Sequence, residues 1–185
     1  GSGQGLICSG DAYTHRFDNI TSKFTNLVRC EAAVLRQGLM IVPNTNMVTG
    51  EEGWSKEDYF NLIVVLCQEF RAAYGNEDIT VLNHEGVDEE QICHDLIKYM
   101  KKHGVETNYY LPDTALIAKQ ALWSSRTAFS SRYHACISAL DGGVLCFATS
   151  WSHKYGELYR SFDLEEALLD LTNKAELRSQ ICNLI

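Results

Sequence analysis

Residues 79–104, ITVLNHEGVDEEQICHDLIKYMKKHG, contain one complete strand-and-helix unit. The first four residues are a short apolar run bounded by polar residues, which is typical of a buried strand. A polar loop at 83–86 follows directly. From Asp88 onward, apolar residues such as Ile92 recur at helical spacing as far as Gly104, and a glycine commonly ends a helix. This stretch therefore predicts a strand, a loop and an amphipathic helix in immediate succession.

The same pattern recurs on both sides of this unit. Upstream, a four-residue apolar run is stopped by Pro43, and Ser55 is a predicted N-cap of the helix that comes next. Strands that alternate with helices of about 10 to 15 residues indicate βαβ units. The sequence therefore predicts an α/β, Rossmann-like parallel sheet with helices on both faces. The predicted strands are residues 39–42, 79–82, 105–110, 125–129 and 144–148; the predicted helices start at Ser55, Asp88, Asp113 and Ser131, with a helical remainder at 152–185.

The length and composition fit one globular domain. The chain has 185 residues, of which 45% are hydrophobic and 22% charged, enough for one core and too few for two ordinary domains. We expect this domain at 38–185. The preceding residues, 1–37, are a lead-in that is either a linker or the remnant of a missing N-terminal domain, with loose helical spacing at 19–35.

Charge and cysteine content exclude several classes of partner. The formal net charge is −8 and no run rich in Lys or Arg occurs, which argues against nucleic acid and against an anionic membrane surface. No apolar run approaches the roughly 20 residues of a membrane span. The seven cysteines include no C-x-x-C pair and lie mostly in apolar runs. We therefore expect no disulfide framework and no metal site, and a cytoplasmic location.

Ligands of an open parallel sheet bind at the carboxyl ends of its strands. That rule selects the loops 44–47, 83–85, 130–134 and 150–155, three of which carry His, Arg or Lys. In the first loop, Asn44 either hydrogen-bonds a ligand or only orders a turn. In the second, His84 either reaches a substrate sugar or faces solvent.

The strongest candidate segment is Ser130 to His134, where an apolar strand runs straight into a helix. The N-terminus of a helix attracts anions through its free N–H groups and its dipole. Arg132 adds a planar fork suited to a carboxylate or phosphate, and His134 can transfer a proton near neutral pH. The alternative is purely structural: a serine cap, an arginine in a surface ion pair and a packed histidine.

A second candidate segment, Ser150 to Tyr155, directly follows the last predicted strand and contains His153 and Lys154. Its two basic residues could complete an anion site with Arg132. Alternatively, they are the exposed start of a helix.

These segments resemble the signature of the polysaccharide pyruvyl transferase family. The family pattern is roughly S-R-x-H-A, an apolar helix, G-V-P, a strand and S-H-K-Y. The resemblance spans about residues 39–171, and is carried by residues 131–135, 138–140, 143–144 and 152–155, with further likeness at 42–45 and 82–85.

The resemblance implies a fold and an activity. The fold would be the C-terminal half of a GT-B-like arrangement, in which two Rossmann-like domains face each other across a cleft. The activity would be transfer of a pyruvyl group from phosphoenolpyruvate to two hydroxyls of a saccharide acceptor, forming a ketal, without a cofactor. The catalytic residues would be Arg132 and His134, at the donor site. The substrate-binding residues would be Ser131, Ser152, His153, Lys154, Asn44 and His84.

Two departures from the family pattern leave other functions open. Leu145 stands where the family has a proline, and the chain holds only one of the two expected domains, so that the N-terminal domain is an expected partner. One alternative function is a GT-B glycosyltransferase domain that binds a nucleotide sugar. Another is a non-catalytic module that binds an anion or a sugar.

Overall fold

The computed structural model describes residues 36–49, 54–149, 152–169, 173 and 176–185. Within them, six parallel strands form one sheet in the order β3-β2-β1-β4-β5-β6. The prediction of a Rossmann-like parallel sheet is confirmed, and the predicted helix at 19–35 lies outside the described residues. The strands are β1 Leu39–Val42, β2 Ile79–Leu82, β3 Asn108–Tyr110, β4 Thr127–Ser130, β5 Leu145–Thr149 and β6 Leu168–Leu169.

Seven α-helices are present in the described residues, and they pack in two groups. In one group α2 contacts α3 and α7, and in the other α4 contacts α5. Because crossovers between parallel strands are right-handed, the two groups lie on opposite faces of the sheet. The helices are α1 Asn46–Thr49, α2 Lys56–Tyr74, α3 Val87–Lys102, α4 Ala115–Ser124, α5 Tyr133–Asp141, α6 His153–Ser161 and α7 Leu177–Leu184, with a 3₁₀ turn at Glu165–Ala167.

The central strands are the most deeply buried part of the protein. All four residues of β1 and all four of β4 are buried, as expected for parallel strands covered by helices on both faces. Among the described cysteines, Cys67, Cys93, Cys136 and Cys146 are buried free thiols and Cys182 is exposed. No helix in the described part of the chain is long and apolar enough to span a membrane.

Several element boundaries differ from those predicted, for local reasons. The predicted helix start at Ser131 is wrong, because β4 extends to Ser130 and α5 begins at Tyr133. The predicted strand at 105–110 begins only at Asn108, since the N–H of Val105 still bonds the carbonyl of Met100 at the end of α3. Within the remainder predicted as helical, β6 pairs with β5. Two residues are too few to show a strand pattern in the sequence.

Candidate functional site

The strand order places a crevice at the carboxyl ends of β1 and β4. The chain continues from β1 toward one edge of the sheet and from β4 toward the other. Loops that diverge from neighbouring strands leave space for a ligand at this switch point. The loop after β1 begins at Pro43, and the loop after β4 contains Ser131 and Arg132. The loop after β2, residues 83–86, lies beside them because β2 pairs with β1.

Ser131 is a buried connection between these loops. It is fully buried, and its hydroxyl shares hydrogen bonds with Tyr59 at 2.9 Å and with Thr149 at 2.6 Å. Its carbonyl accepts from the Tyr155 hydroxyl at 2.9 Å and from the Asn44 amide at 2.9 Å. Ser131, which was expected to contact substrate, thus has protein partners for both its hydroxyl and its carbonyl, and it connects the loops that surround the crevice.

Asn44 orders the turn after β1. It is buried, its side-chain oxygen accepts from the N–H of Asn46 at 3.0 Å, and its own N–H donates to the Tyr59 hydroxyl at 3.3 Å. Of the two roles that the sequence leaves open for Asn44, the geometry supports the turn. Tyr59 therefore links the loop after β1 with the loop after β4, and its burial raises the pKa of its hydroxyl.

Replacing Tyr59 with phenylalanine is expected to lower the free energy of unfolding by about 1–3 kcal/mol, because the N–H of Asn44 loses its buried acceptor. Urea denaturation measures the change. Tyr99→Phe is the matched control, since the Tyr99 hydroxyl donates to Asn61 at an exposed position. Equal losses in the two variants would contradict the role given to Tyr59.

Arg132 is held between two carboxylates of the neighbouring loop and helix. Its Nη2 pairs with Glu89, and its Nη1 lies 3.0 Å from Oε1 of Glu85. The two carboxylates differ in burial, since the Glu89 side chain is 3% exposed and that of Glu85 is 41% exposed. Glu89 also accepts hydrogen bonds from the N–H of Thr45 at 3.0 Å and from its hydroxyl at 3.1 Å. Glu89 thus joins the loop after β1, helix α3 and Arg132.

The sequence did not identify Glu89 as part of the site. It stands between Asp88 and Glu90 in the first turn of α3, where acidic residues are common because they complement the helix dipole. Nothing in the local pattern distinguishes the buried carboxylate from its two exposed neighbours. A signal could have come only from the topology, which places α3 directly after the candidate loop 83–86.

His84 lies beside Arg132 and is mostly buried, with 17% of its side chain exposed. The pKa of His84 is lowered, and burial is the largest cause. The carboxylate of Glu85 acts in the opposite direction and raises the pKa, whereas the charges of Arg132 and His134 lower it. Because the ordinary histidine pKa is about 6.5, His84 is neutral at neutral pH. Its Nδ1 lies 3.7 Å from Oε1 of Glu85. Contact of His84 with a substrate sugar stays a prediction.

Three buried side-chain polar atoms at this site have no hydrogen-bond partner among the described residues. They are Oδ1 of Asn83, Nδ1 of His84 and Nε of Arg132. Such atoms cost about 1–3 kcal/mol each unless water or a ligand satisfies them. They lie on the loops after β2 and β4, which is the edge of the sheet where a ligand is expected.

The remaining predicted residues lie around the first turns of α5 and α6. His134 is exposed on α5. Lys154 is half-buried, and its Nζ lies 4.7 Å from the centre of the Tyr133 ring. Tyr133 directly follows Arg132 in the chain. Ser152 is the N-cap residue of α6, and His153 is exposed at its first position. The structure therefore brings Arg132, His84, His134 and Lys154 to one region, with Ser150 and Trp151 outside the described residues.

Neither the models of known protein families nor the curated protein sequences include a match to this chain. The described residues contain no group of three or more His, Cys, Asp or Glu arranged to hold a metal ion.

Proposed function

We propose that this chain transfers a pyruvyl group from phosphoenolpyruvate to two hydroxyls of a sugar in a surface polysaccharide or its precursor, forming a pyruvate ketal. One observation carries the proposal. Arg132 and His84 lie together at the carboxyl edge of the sheet, with Nη1 of Arg132 at 3.0 Å and Nδ1 of His84 at 3.7 Å from the same oxygen of Glu85. An open α/β sheet binds ligands at this edge, and Arg132 and His134 belong to the motif that resembles the pyruvyl transferase family.

The charges of the site suit an anionic donor held by a few groups. Phosphoenolpyruvate carries a carboxylate and a phosphate, and a guanidinium binds either through parallel N–H donors. Arg132 would hold one of these groups through Nη1, whose partner Glu85 is exposed, since Nη2 is engaged by buried Glu89. Lys154 brings a second positive charge to the start of α5. The resemblance would place the sugar between this edge and a second, N-terminal domain.

The reaction requires two proton transfers that the histidines could perform. Each sugar oxygen forms a bond to C2 of phosphoenolpyruvate, and the bond from C2 to the phosphate oxygen breaks. One hydroxyl proton ends on C3, which becomes a methyl group, and the other leaves with inorganic phosphate. His84 is neutral near pH 7 because burial lowers its pKa, so it can accept a proton from a hydroxyl. His134 would deliver the proton to C3.

The loop after β1 argues against a nucleoside diphosphate bound at that loop, which is the usual position in a Rossmann fold. There, a glycine-rich turn offers free N–H groups to the pyrophosphate. Here the N–H of Asn44 donates to Tyr59, that of Thr45 donates to Glu89, and that of Asn46 donates to Asn44. The glycosyltransferase alternative is therefore disfavoured.

Isothermal titration of the chain at low salt with phosphoenolpyruvate, UDP and UDP-glucose tests the proposal. Phosphoenolpyruvate is expected to bind more tightly than either nucleotide. Replacing Arg132 should weaken it at least tenfold, about 1.4 kcal/mol. The test variant is the double substitution Arg132→Ala/Glu89→Gln, because the single substitution leaves the buried carboxylate of Glu89 unpaired. Glu89→Gln alone is the reference, and circular dichroism checks that both variants are folded.

Three results would contradict the proposal. Tighter binding of UDP than of phosphoenolpyruvate would favour the glycosyltransferase. Equal affinity for phosphoenolpyruvate in the double variant and its reference would show that Arg132 does not bind the donor. Absence of phosphoenolpyruvate binding at millimolar concentration would leave this chain without a donor site.

A further inference from the structure

The carboxylate of Glu85 lies between Arg132 and His84, two residues of the proposed site. Its Oε1 lies 3.0 Å from Nη1 of Arg132 and 3.7 Å from Nδ1 of His84. A single oxygen of this side chain therefore lies within ion-pair distance of the guanidinium and of the imidazole, and Nδ1 of His84 has no hydrogen-bond partner in the described part of the chain. An anionic oxygen of a ligand that used both residues would have to occupy the same position.

We infer that Glu85 is an internal competitor for the anion site, and that its Oε1 marks the position taken by a carboxylate or phosphate oxygen of the bound ligand. The inference rests on the proposed function only in naming phosphoenolpyruvate as that ligand. The position itself is defined by Arg132 and His84, and any small oxyanion that binds there displaces Glu85.

The two carboxylates that pair with Arg132 differ in how firmly the protein holds them. Glu89 is buried, and Thr45 donates to it twice, so it stays in place and orients the guanidinium. Glu85 is 41% exposed, and Arg132 and His84 are its ion-pair partners among the described residues. Exposed ion pairs contribute little to stability. Glu85 can therefore leave Arg132 at small cost, whereas Glu89 cannot.

The backbone of the loop allows the Glu85 side chain to move by itself. Asn83 holds both ends of the turn, since its N–H donates to the carbonyl of Tyr110 at 2.9 Å and its side-chain amide donates to the carbonyl of Gly86 at 2.8 Å. Gly86 has a φ of 70°, which a glycine adopts without strain. Rotation about the side-chain bonds of Glu85 is then enough to exchange its carboxylate for that of a ligand.

The test compares Glu85→Gln with the wild type in titrations with phosphoenolpyruvate and with inorganic phosphate. Removing the competing charge is expected to tighten the binding of both anions about three- to tenfold. Glu90→Gln is the matched control. It removes the same charge from the first turn of α3, close in the chain to the loop that carries Glu85. Glu90 is exposed and pairs with His94, so its effect should stay below about twofold.

A second measurement locates the bound anion by following the His84 ring in NMR titrations against pH. The charge of Glu85 raises the pKa of His84, so Glu85→Gln should lower it. Saturating phosphate should raise the pKa again, because the anion then takes the position of the carboxylate. A pKa of His84 that does not respond to phosphate in this variant would overturn the inference.

The outcomes separate this inference from the proposed function. Binding of phosphoenolpyruvate that depends on Arg132 but does not tighten in Glu85→Gln would refute the competitor role and leave the proposed function standing. Tighter phosphate binding in Glu85→Gln, with phosphoenolpyruvate bound no better than phosphate, would establish the anion position and count against pyruvyl transfer. Absence of anion binding in both forms would overturn both proposals.

Discussion

Replacing Arg132 with alanine is expected to lower the free energy of unfolding by about 3–5 kcal/mol, because it leaves a buried charge without its partner. The Glu89 carboxylate is 3% exposed and pairs with Arg132. Its remaining donors, the N–H and hydroxyl of Thr45, are neutral. Urea denaturation monitored by circular dichroism measures the change in the unfolding free energy.

Two further variants isolate the cause of that loss. Arg160→Ala is the matched control, since Arg160 pairs with Glu165 at an exposed position, and its effect should stay below about 1 kcal/mol. In a Glu89→Gln background the buried charge is absent, and Arg132→Ala should then cost only about 1 kcal/mol. An undiminished loss in that background would show that Glu89 is not the reason.

Replacing Gly38 with alanine is expected to destabilise the protein by about 3 kcal/mol, combining backbone strain with a steric clash. Gly38 has a φ of 77°, and a Cβ there would lie 2.6 Å from the carbonyl oxygen of Asp78. That carbonyl accepts the hydrogen bond from Leu39 at the start of β1, and the carbonyl of Gly38 itself accepts from Arg126 and Thr127. Bonds on both sides prevent the backbone from moving away.

Gly104→Ala is the control that separates strain from clash. Gly104 has a φ of 75°, almost that of Gly38, but a Cβ there would meet nothing within 4 Å. Its substitution should therefore cost only the conformational strain of about 1 kcal/mol. Equal losses at the two positions in thermal or urea denaturation would refute the steric part of the account.

The fold was predictable because the buried strands and helix faces are visible in the sequence as runs and periodic patterns of apolar residues. The strands 39–42 and 79–82 have the predicted bounds, since parallel strands covered on both faces are continuous apolar runs. The start of α5 was misplaced because Ser131 resembles a helix cap, whereas its hydroxyl bonds across the sheet to Tyr59 and Thr149. Long-range contacts of this kind have no signature in the local sequence.

The candidate site was predictable only in part, for the same reason. Arg132 stands out because it follows an apolar strand directly, and the rule for open sheets places it at the ligand-binding edge. Its ion pairs with Glu85 and Glu89 bridge more than 40 positions of sequence. No local pattern in the sequence indicates these ion pairs. The guanidinium of Arg132, which was expected to bind an anion, is therefore already paired with two carboxylates in the folded protein.

An NMR titration of the isotope-labelled chain with phosphoenolpyruvate tests the proposed donor site most directly, because it maps the residues that respond to the ligand. We expect the largest shifts on the side chains of Arg132 and His84 and on the N–H groups of 83–86 and 131–134, at the carboxyl ends of β2 and β4. Shifts concentrated at another part of the sheet, or unchanged signals from Arg132 and His84 at millimolar phosphoenolpyruvate, would contradict it.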